Sequence, residues 1–322
     1  MTRAHPKPRD AGTSPGPRFA RPPRLTPGDR IAVVAPAGPL DRESFEAGLR
    51  ILGKRYDVAW DASLLSRTRY LAGDDGRRGA ELAAALADRT IRGVVAARGG
   101  YGSMRLLPRV WPGADGGAPV AAPAKVLVGF SDITALHAAF QATGRVSVHG
   151  PVVTQLGTQP SGIAERLFAV LEDGTTPPPP VAGTSMMGGV VEGPLLGGNL
   201  SIVTRLLGTP WLPDLTGAVL LLEDVGERPY RIDRMWTHLG LAGVFERVAG
   251  LALGDFTDCE DPDGGFTLRD VLYDLVRETG LPCVGFLPIG HDAVNVPVPL
   301  GTRVRLDGGA GTLSFLEPAV AD

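Results

Sequence analysis

Lys125-Val-Leu-Val-Gly-Phe-Ser-Asp-Ile-Thr-Ala-Leu-His-Ala-Ala-Phe-Gln141 is the stretch on which the reading of the whole chain turns. Residues 125–130 form a short apolar run with two valines, the pattern of a buried strand. From Asp132 onward, Ile133, Leu136, Ala139 and Phe140 recur at helical spacing and predict a helix with one apolar face. Ser131 stands on the joint. A serine on a tight turn from a buried strand into a helix presents its hydroxyl at the C-terminal edge of the sheet. The free N–H groups and positive dipole end of the helix lie beside it. That is the arrangement of a nucleophile elbow. Gly129 stands two before the serine, as the elbow requires, but two after it comes Ile133 rather than glycine. The same residues suit an ordinary helix N-cap, with Asp132 and Thr134 in the first turn. On this stretch alone both readings stand.

Upstream, apolar strand signals at 31–36, 58–60 and 91–97 alternate with helical patterns at 41–52 and 74–88. Strands alternating with helices predict a parallel, doubly wound sheet, which takes ligands beyond the carboxyl ends of its strands. Two loops at that edge have unusual composition: Arg98-Gly-Gly-Tyr-Gly-Ser103 and the turn at Ser131. Downstream, a helix signal at 163–172 runs into Asp173-Gly-Thr-Thr-Pro-Pro-Pro-Pro-Val-Ala-Gly-Thr-Ser185. Four consecutive prolines favour stiff, extended chain, so residues 173–189 are expected to link two domains. Residues 190–322 carry strand signals at 218–222, 248–253, 303–306 and 312–316 and helical ones at 200–207, 232–239 and 267–278. They predict a smaller mixed α+β domain after an N-terminal domain spanning 24–172. Residues 1–23 are rich in Pro, Arg and Gly and read as a disordered basic tail.

Bulk properties narrow the function. A net charge of −3 over 322 residues provides no basic footprint for nucleic acid. No apolar run approaches the roughly 18 residues of a membrane span. Two cysteines, Cys259 and Cys283, rule out a disulfide scaffold and have no zinc-like spacing, which fits a reducing, cytoplasmic compartment.

Four places carry chemistry. Arg98-Gly-Gly-Tyr-Gly102 ends a strand with three glycines in four positions, which lets backbone N–H groups turn toward an oxyanion or phosphate. A flexible turn has the same composition. Glu223 closes the apolar strand Ala218-Val-Leu-Leu-Leu-Glu223, where an ionised carboxylate needs a partner. A histidine would make it catalytic; Arg228 or Arg231 would make it a structural salt bridge, and Asp224 and Glu227 compete for the role. His291 lies in Leu287-Pro-Ile-Gly-His-Asp-Ala-Val-Asn295, a loop context that suits reach across a cleft. His149, before Gly150-Pro151, is its rival, while His137 and His238 sit in helices. Ser131, Glu223 and His291 together supply nucleophile, acid and base for acyl transfer. The backbone N–H of Asp132 and one from Gly99 or Gly100 are positioned to form an oxyanion hole.

At these residues the chain resembles the LD-carboxypeptidase family of serine peptidases, which includes murein tetrapeptide carboxypeptidases and microcin C7 self-immunity proteins. The resemblance extends from the first strand, Asp29-Arg-Ile-Ala-Val-Val-Ala-Pro-Ala-Gly-Pro39, through the glycine loop and Gly129-Phe-Ser-Asp-Ile-Thr-Ala-Leu136. It continues through Gly197-Gly-Asn-Leu-Ser201, Leu222-Glu-Asp-Val-Gly-Glu-Arg-Pro-Tyr-Arg-Ile-Asp-Arg234 and Gly290-His291. It implies an α/β fold with a flavodoxin-like parallel-sheet N-terminal domain and a smaller swivelling β/α/β-type C-terminal domain. It also implies a homodimer with no cofactor and no metal. Ser131, Glu223 and His291 carry over as nucleophile, acid and base. The expected substrate is a muropeptide losing its terminal D-Ala, with a peptidyl- or aminoacyl-nucleotide antibiotic as the alternative. Arg98, Tyr101, Asn199 and Arg231 are candidate substrate contacts. From another class, a non-catalytic ligand-binding α/β protein would have no need of the three residues. A dinucleotide oxidoreductase would need a glycine fingerprint where Ala35-Pro-Ala-Gly-Pro39 stands.

Overall fold

The computed structural model describes residues 19–111, 124–262 and 264–322. Five parallel strands form the first sheet: β1 (Arg30–Val34), β2 (Asp57–Ala59), β3 (Gly93–Ala96), β4 (Val126–Gly129) and β5 (Ser147–His149), in the order β5-β4-β3-β1-β2. β3 and β4 are buried at every residue, which is why they read as unbroken apolar runs rather than alternating ones. On one face Ala32, Val34, Val94, Ala96 and Leu127 pack with residues of helices Asp75–Ala87 and Thr134–Ala142. On the other, Ile31, Val33, Val95, Val126 and Val128 pack with helices Arg42–Leu52 and Ser161–Glu172. The glycine loop and the Ser131 turn leave β3 and β4, which are hydrogen-bonded neighbours, so the two loops emerge side by side.

The second sheet has eight strands and is the wider of the two. It contains β6 (Val181–Ala182), β7 (Thr184–Met187), β8 (Val190–Asn199), β9 (Val219–Val225), β10 (Gly250–Thr257) and β11 (Cys283–Gly285). β12 (Val298–Leu300) returns instead to the first sheet, antiparallel to β5. β13 (Arg303–Asp307) and β14 (Thr312–Phe315) complete the second, in the order β6-β14-β13-β8-β9-β10-β11-β7. The two outermost strands, β6 and β7, are consecutive in the chain with Gly183 alone between them. The sheet therefore curls enough to bring its two outermost strands together at Gly183. Leu195, Leu221, Val284, Val304 and Phe315 cluster on one face, and Leu196, Leu220, Leu222 and Leu253 pack on the other with residues of helices Pro229–Leu241 and Leu268–Thr279.

Two stretches differ from the sequence expectation. The segment 173–189, read as linker from its prolines, contains β6 and β7. The basic tail expected over 1–23 falls, for residues 1–18, outside the described residues, while residues 19–23 are paired. The Ala20 N–H donates to Gly144 O at 2.7 Å, and the Ala321 N–H to Pro22 O at 2.9 Å. Ala319 and Val320 join the core of the first sheet, so the chain's last residues fold back onto the N-terminal unit. Among the described residues no helix is long and apolar enough to cross a membrane.

Candidate active site

Ser131 follows directly on the buried end of β4 and has φ of +64°, a left-handed conformation that a non-glycine residue rarely adopts. Its side chain caps no helix: the turn it opens, Ser131–Ile133, and the helix Thr134–Ala142 both lack a side-chain cap bond. The N-cap reading also expects extended backbone at the serine, which φ excludes. The strained turn instead aims the hydroxyl at His291, whose Nε2 lies 3.0 Å from Ser131 Oγ. Gly99 makes room for this geometry, since a Cβ there would stand 2.8 Å from Ser131 Cβ and 3.0 Å from its Oγ.

His291 comes from the loop after β11, and its other nitrogen, Nδ1, is 2.6 Å from Glu223 Oε2. Glu223, from β9, is 0% exposed. Burial pushes its carboxyl above the ordinary range, and the hydrogen bond and charge of His291 pull it back. Burial likewise lowers the basicity of His291, but Glu223, Asp224 and Asp255 outweigh it and the net shift is upward. The tilted Phe130 ring packs against the imidazole with centroids 4.7 Å apart. A chain of hydrogen bonds thus runs from a buried carboxylate through an imidazole to a half-buried hydroxyl. Its members come from the end of a first-sheet strand, a second-sheet strand and a loop, and lie 68 and 160 positions apart.

The rivals are arranged differently. His149 is fully buried at the end of β5, 5.8 Å from the Phe130 ring and 6.4 Å from that of His137. Neither of its ring nitrogens has a hydrogen-bond partner among the described residues. His137 bonds Ser147 Oγ and Gly129 O, and His238 is exposed. Asp224 accepts from the N–H groups of Ser201 and Val225 and the Asn199 amide, and Glu227 pairs with Arg231 at 3.4 Å. His5 lies outside the described residues.

The remaining candidates line up unevenly around the serine. Asp132 is buried; its Oδ2 accepts the Ser103 N–H at 2.7 Å, and burial raises its carboxyl. That bond ties the far end of the glycine loop to the serine turn. Gly99 abuts the serine turn, its carbonyl held by the Gly38 N–H at 3.0 Å, while Gly100 lies against Gly38. Arg98 is exposed and hydrogen-bonds the Pro39 carbonyl. Tyr101 is half-exposed and packs edge-on against Tyr70, with centroids 5.7 Å apart. Asn199 is buried and structurally occupied: its Oδ1 caps helix Leu200–Leu206 through Ile202 N–H and its Nδ2 donates to Asp224. Arg231 is exposed on the first turn of helix Pro229–Leu241, paired with Glu227 and 3.3 Å from the Tyr230 hydroxyl. Arg228 pairs with Asp261.

One residue beside the site escaped the sequence reading. Asp255 ends the apolar part of β10 as Glu223 ends that of β9, and the same strand-end rule would have found it.

Comparison with known proteins fits this geometry. Residues 31–150 match the model of the LD-carboxypeptidase N-terminal domain and residues 192–306 that of the C-terminal domain. The chain belongs to the LD-carboxypeptidase family. A Synechocystis sp. relative is 41% identical over 302 residues, 92% of this chain and 98% of that protein. The murein tetrapeptide carboxypeptidase of Pseudomonas aeruginosa is 35% identical over 87% of this chain and 93% of its own length. Among solved structures, muramoyltetrapeptide carboxypeptidase from Oxalobacter formigenes is 29% identical with a TM-score of 0.77, covering 89% of this chain and 97% of that one. The MccF protein in complex with glutamyl sulfamoyl guanosine has a TM-score of 0.83 at 21% identity, covering 94% of this chain and 99% of that one, a likeness of fold. This LD-carboxypeptidase therefore has the two-domain α/β architecture of its family, and its three candidate residues fall within the two matched segments.

Proposed function

We propose that this LD-carboxypeptidase is of the serine type and removes the terminal D-Ala from a murein tetrapeptide. The observation that carries the reading is the unbroken relay Glu223–His291–Ser131, at 2.6 and 3.0 Å. Ser131 Oγ attacks the carbonyl carbon of the scissile amide while His291 Nε2 takes the hydroxyl proton. Glu223 holds Nδ1–H, fixing the tautomer, and stabilises the imidazolium. The N–H groups of Asp132 and of Gly99 or Gly100 bind the developing oxyanion, each donor contributing about 3 kcal/mol to lowering the barrier. The imidazolium then returns its proton to the leaving D-Ala nitrogen. Water, deprotonated by His291, hydrolyses the acyl-serine. The substrate carboxylate needs a cation, and Arg98, exposed and next in the chain to Gly99, which abuts Ser131, is the candidate for it.

The same three residues would serve the alternative substrate, an aminoacyl or peptidyl nucleotide. The murein tetrapeptide carboxypeptidase resembles the chain more closely, at 35% identity, than the MccF structure does at 21%, which favours the muropeptide. The reading carries with it a cytoplasmic homodimer.

The test is release of D-Ala from L-Ala–γ-D-Glu–meso-diaminopimelyl–D-Ala by wild type and Ser131→Ala. Release by wild type that falls at least roughly 10⁴-fold in the variant is expected. Release that survives the substitution would refute the serine mechanism. No release by either protein, with cleavage of an aminoacyl sulfamoyl adenosine, would transfer the reading to nucleotides.

A further inference from the structure

Two strand-end carboxylates, not one, border the loop that carries His291. β9 and β10 run side by side, and their pairing slips between Leu253 and Phe256. Such an irregularity re-aims the side chain it contains, and here that side chain is Asp255. Its backbone N–H donates to Ile289 O at 2.9 Å, two residues before the imidazole. Gly290 shows how close the second carboxylate comes. It has φ of +138°, and a Cβ there would stand 3.0 Å from Glu223 Oε2 and 3.5 Å from Asp255 Cβ. Both acids therefore flank the glycine adjoining His291. Each also keeps one buried oxygen without a hydrogen-bond partner among the described residues, Glu223 Oε1 and Asp255 Oδ2. Beyond Asp255 opens a cavity of about 360 Å³, lined also by Asp258, Glu260, Arg269, Phe286 and Asp292. Its charge is mostly negative, and its one lining arginine lies over the Phe286 ring, 4.7 Å from the centroid.

We propose that Asp255 is a positioning residue for His291: its backbone fixes the loop that carries the imidazole, and its carboxylate adds a second negative charge that favours the imidazolium formed during acyl transfer. The inference rests on the serine-type reading above. The charged groups around Asp255 are Glu223 on β9, His291 and Asp292 on the loop, Asp258 and Glu260 beyond the end of β10, and Arg269 on helix Leu268–Thr279. Burial, then Asp292 and Glu223, push its carboxyl up to about 7, while His291 pulls it down. Ionisation of Asp255 and protonation of His291 thus favour each other.

Asp255→Asn keeps the backbone bond and nearly the same shape while removing the charge. Its acid limb of kcat/KM is expected to move down by about half a pH unit or more, the effect of one nearby charge in a partly screened site. kcat falls at the plateau and KM is unchanged. A merely structural residue would lower activity at every pH without moving the limb. The second readout needs no turnover: the imidazole of His291, followed by NMR in Ser131→Ala and in Ser131→Ala/Asp255→Asn, should titrate at lower pH in the latter. Asp255→Ser repeats both measurements with a smaller uncharged side chain. Asp292→Asn, at an exposed neighbour, should shift the limb less. Coincident limbs and coincident ring titrations with and without Asp255 would overturn the proposal, as would an equal or larger shift from Asp292→Asn. If D-Ala release proves absent or independent of Ser131, the serine reading fails while the ring titration still decides what Asp255 does to His291.

Discussion

Two histidines touch the ring of Phe130, and the chemistry open to them is opposite. His291, with centroids 4.7 Å away, has both nitrogens engaged, one by a carboxylate and one by a hydroxyl. His149, 5.8 Å away, is fully buried and has neither engaged. Burial acts on both in the same direction, against the charged form. For His291 the nearby carboxylates reverse the outcome. For His149 the nearest titrating neighbours are His137 and His291, which only deepen it, leaving a base far too weak to accept a proton near neutrality. Packing against Phe130 is therefore not what distinguishes a general base. The partner on the far nitrogen is.

The largest effect should come from exchanging these two positions as targets. His291→Ala is expected to cost roughly 10⁴-fold or more in kcat/KM, since a nucleophile without its base loses nearly the whole benefit of the triad. His149→Leu replaces an unpartnered buried polar ring with an apolar side chain of similar volume. It should leave kcat/KM within about an order of magnitude and hold or raise the melting temperature. The comparison collapses if His149→Leu is as damaging to turnover as His291→Ala while the protein stays folded.

The sequence makes His291 nameable because its loop is cut off by Pro288 and Gly290, and Glu223 because a carboxylate ends an unbroken apolar run. Ser131 is legible as the joint of a strand and a helix, though whether it caps or attacks depends on a backbone angle no composition reports. The failures have physical causes of their own. β6 and β7 are too short, at two and four residues, to show a period beside a run of prolines, and as the outermost strands of their sheet each pairs with a single neighbour. β8 contains Gly193, Pro194, Gly197 and Gly198, which interrupt any strand pattern in the sequence although the strand is central in its sheet. Asn199 matches the family motif and invites a substrate role, yet its amide is spent on a helix cap and on Asp224. Such long-range pairings lie on the tertiary link of the chain of cause and are not encoded in any local pattern.

A middling effect should sharpen the picture on the serine's other side. Gly99→Ala would press a methyl to 2.8 Å from Ser131 Cβ, closer than real carbon contacts allow. Either the glycine loop or the serine turn must retreat. A displacement near 1 Å at a reacting atom lowers kcat by roughly 100-fold, and because the loop, not the binding of the distant peptide, is disturbed, KM should change less than kcat. Steady-state kinetics on the tetrapeptide decide this. Unchanged kcat would mean that the Ser131 geometry tolerates movement and that the close approach of the two loops is not needed for transfer.

The smallest effect concerns stability rather than rate, and again separates the two kinds of histidine. Burial lowers His137 to about 4 and His149 well below its ordinary value. In the unfolded chain both return to about 6.5. A base whose folded pKa is depressed stays neutral in the fold while the unfolded chain takes up protons. The associated stability is therefore complete above pH 6.5 and is lost as pH falls toward 4. For His137 the loss at the bottom of that window is of order 3 kcal/mol. His291, raised in the fold, works in the opposite sense: its contribution is complete below pH 6.5 and disappears as pH rises through its folded value. Burial also raises carboxyls such as that of Asp132, so the difference between proteins is the cleaner quantity. Melting temperatures of wild type and His149→Leu, measured from pH 7.5 down to 4.5, should diverge in favour of the variant as the solution becomes more acidic. A gap that stays constant with pH would mean that His149 is not carried neutral into the fold, and that the contrast between the two histidines on Phe130 rests on hydrogen bonding without the difference in protonation.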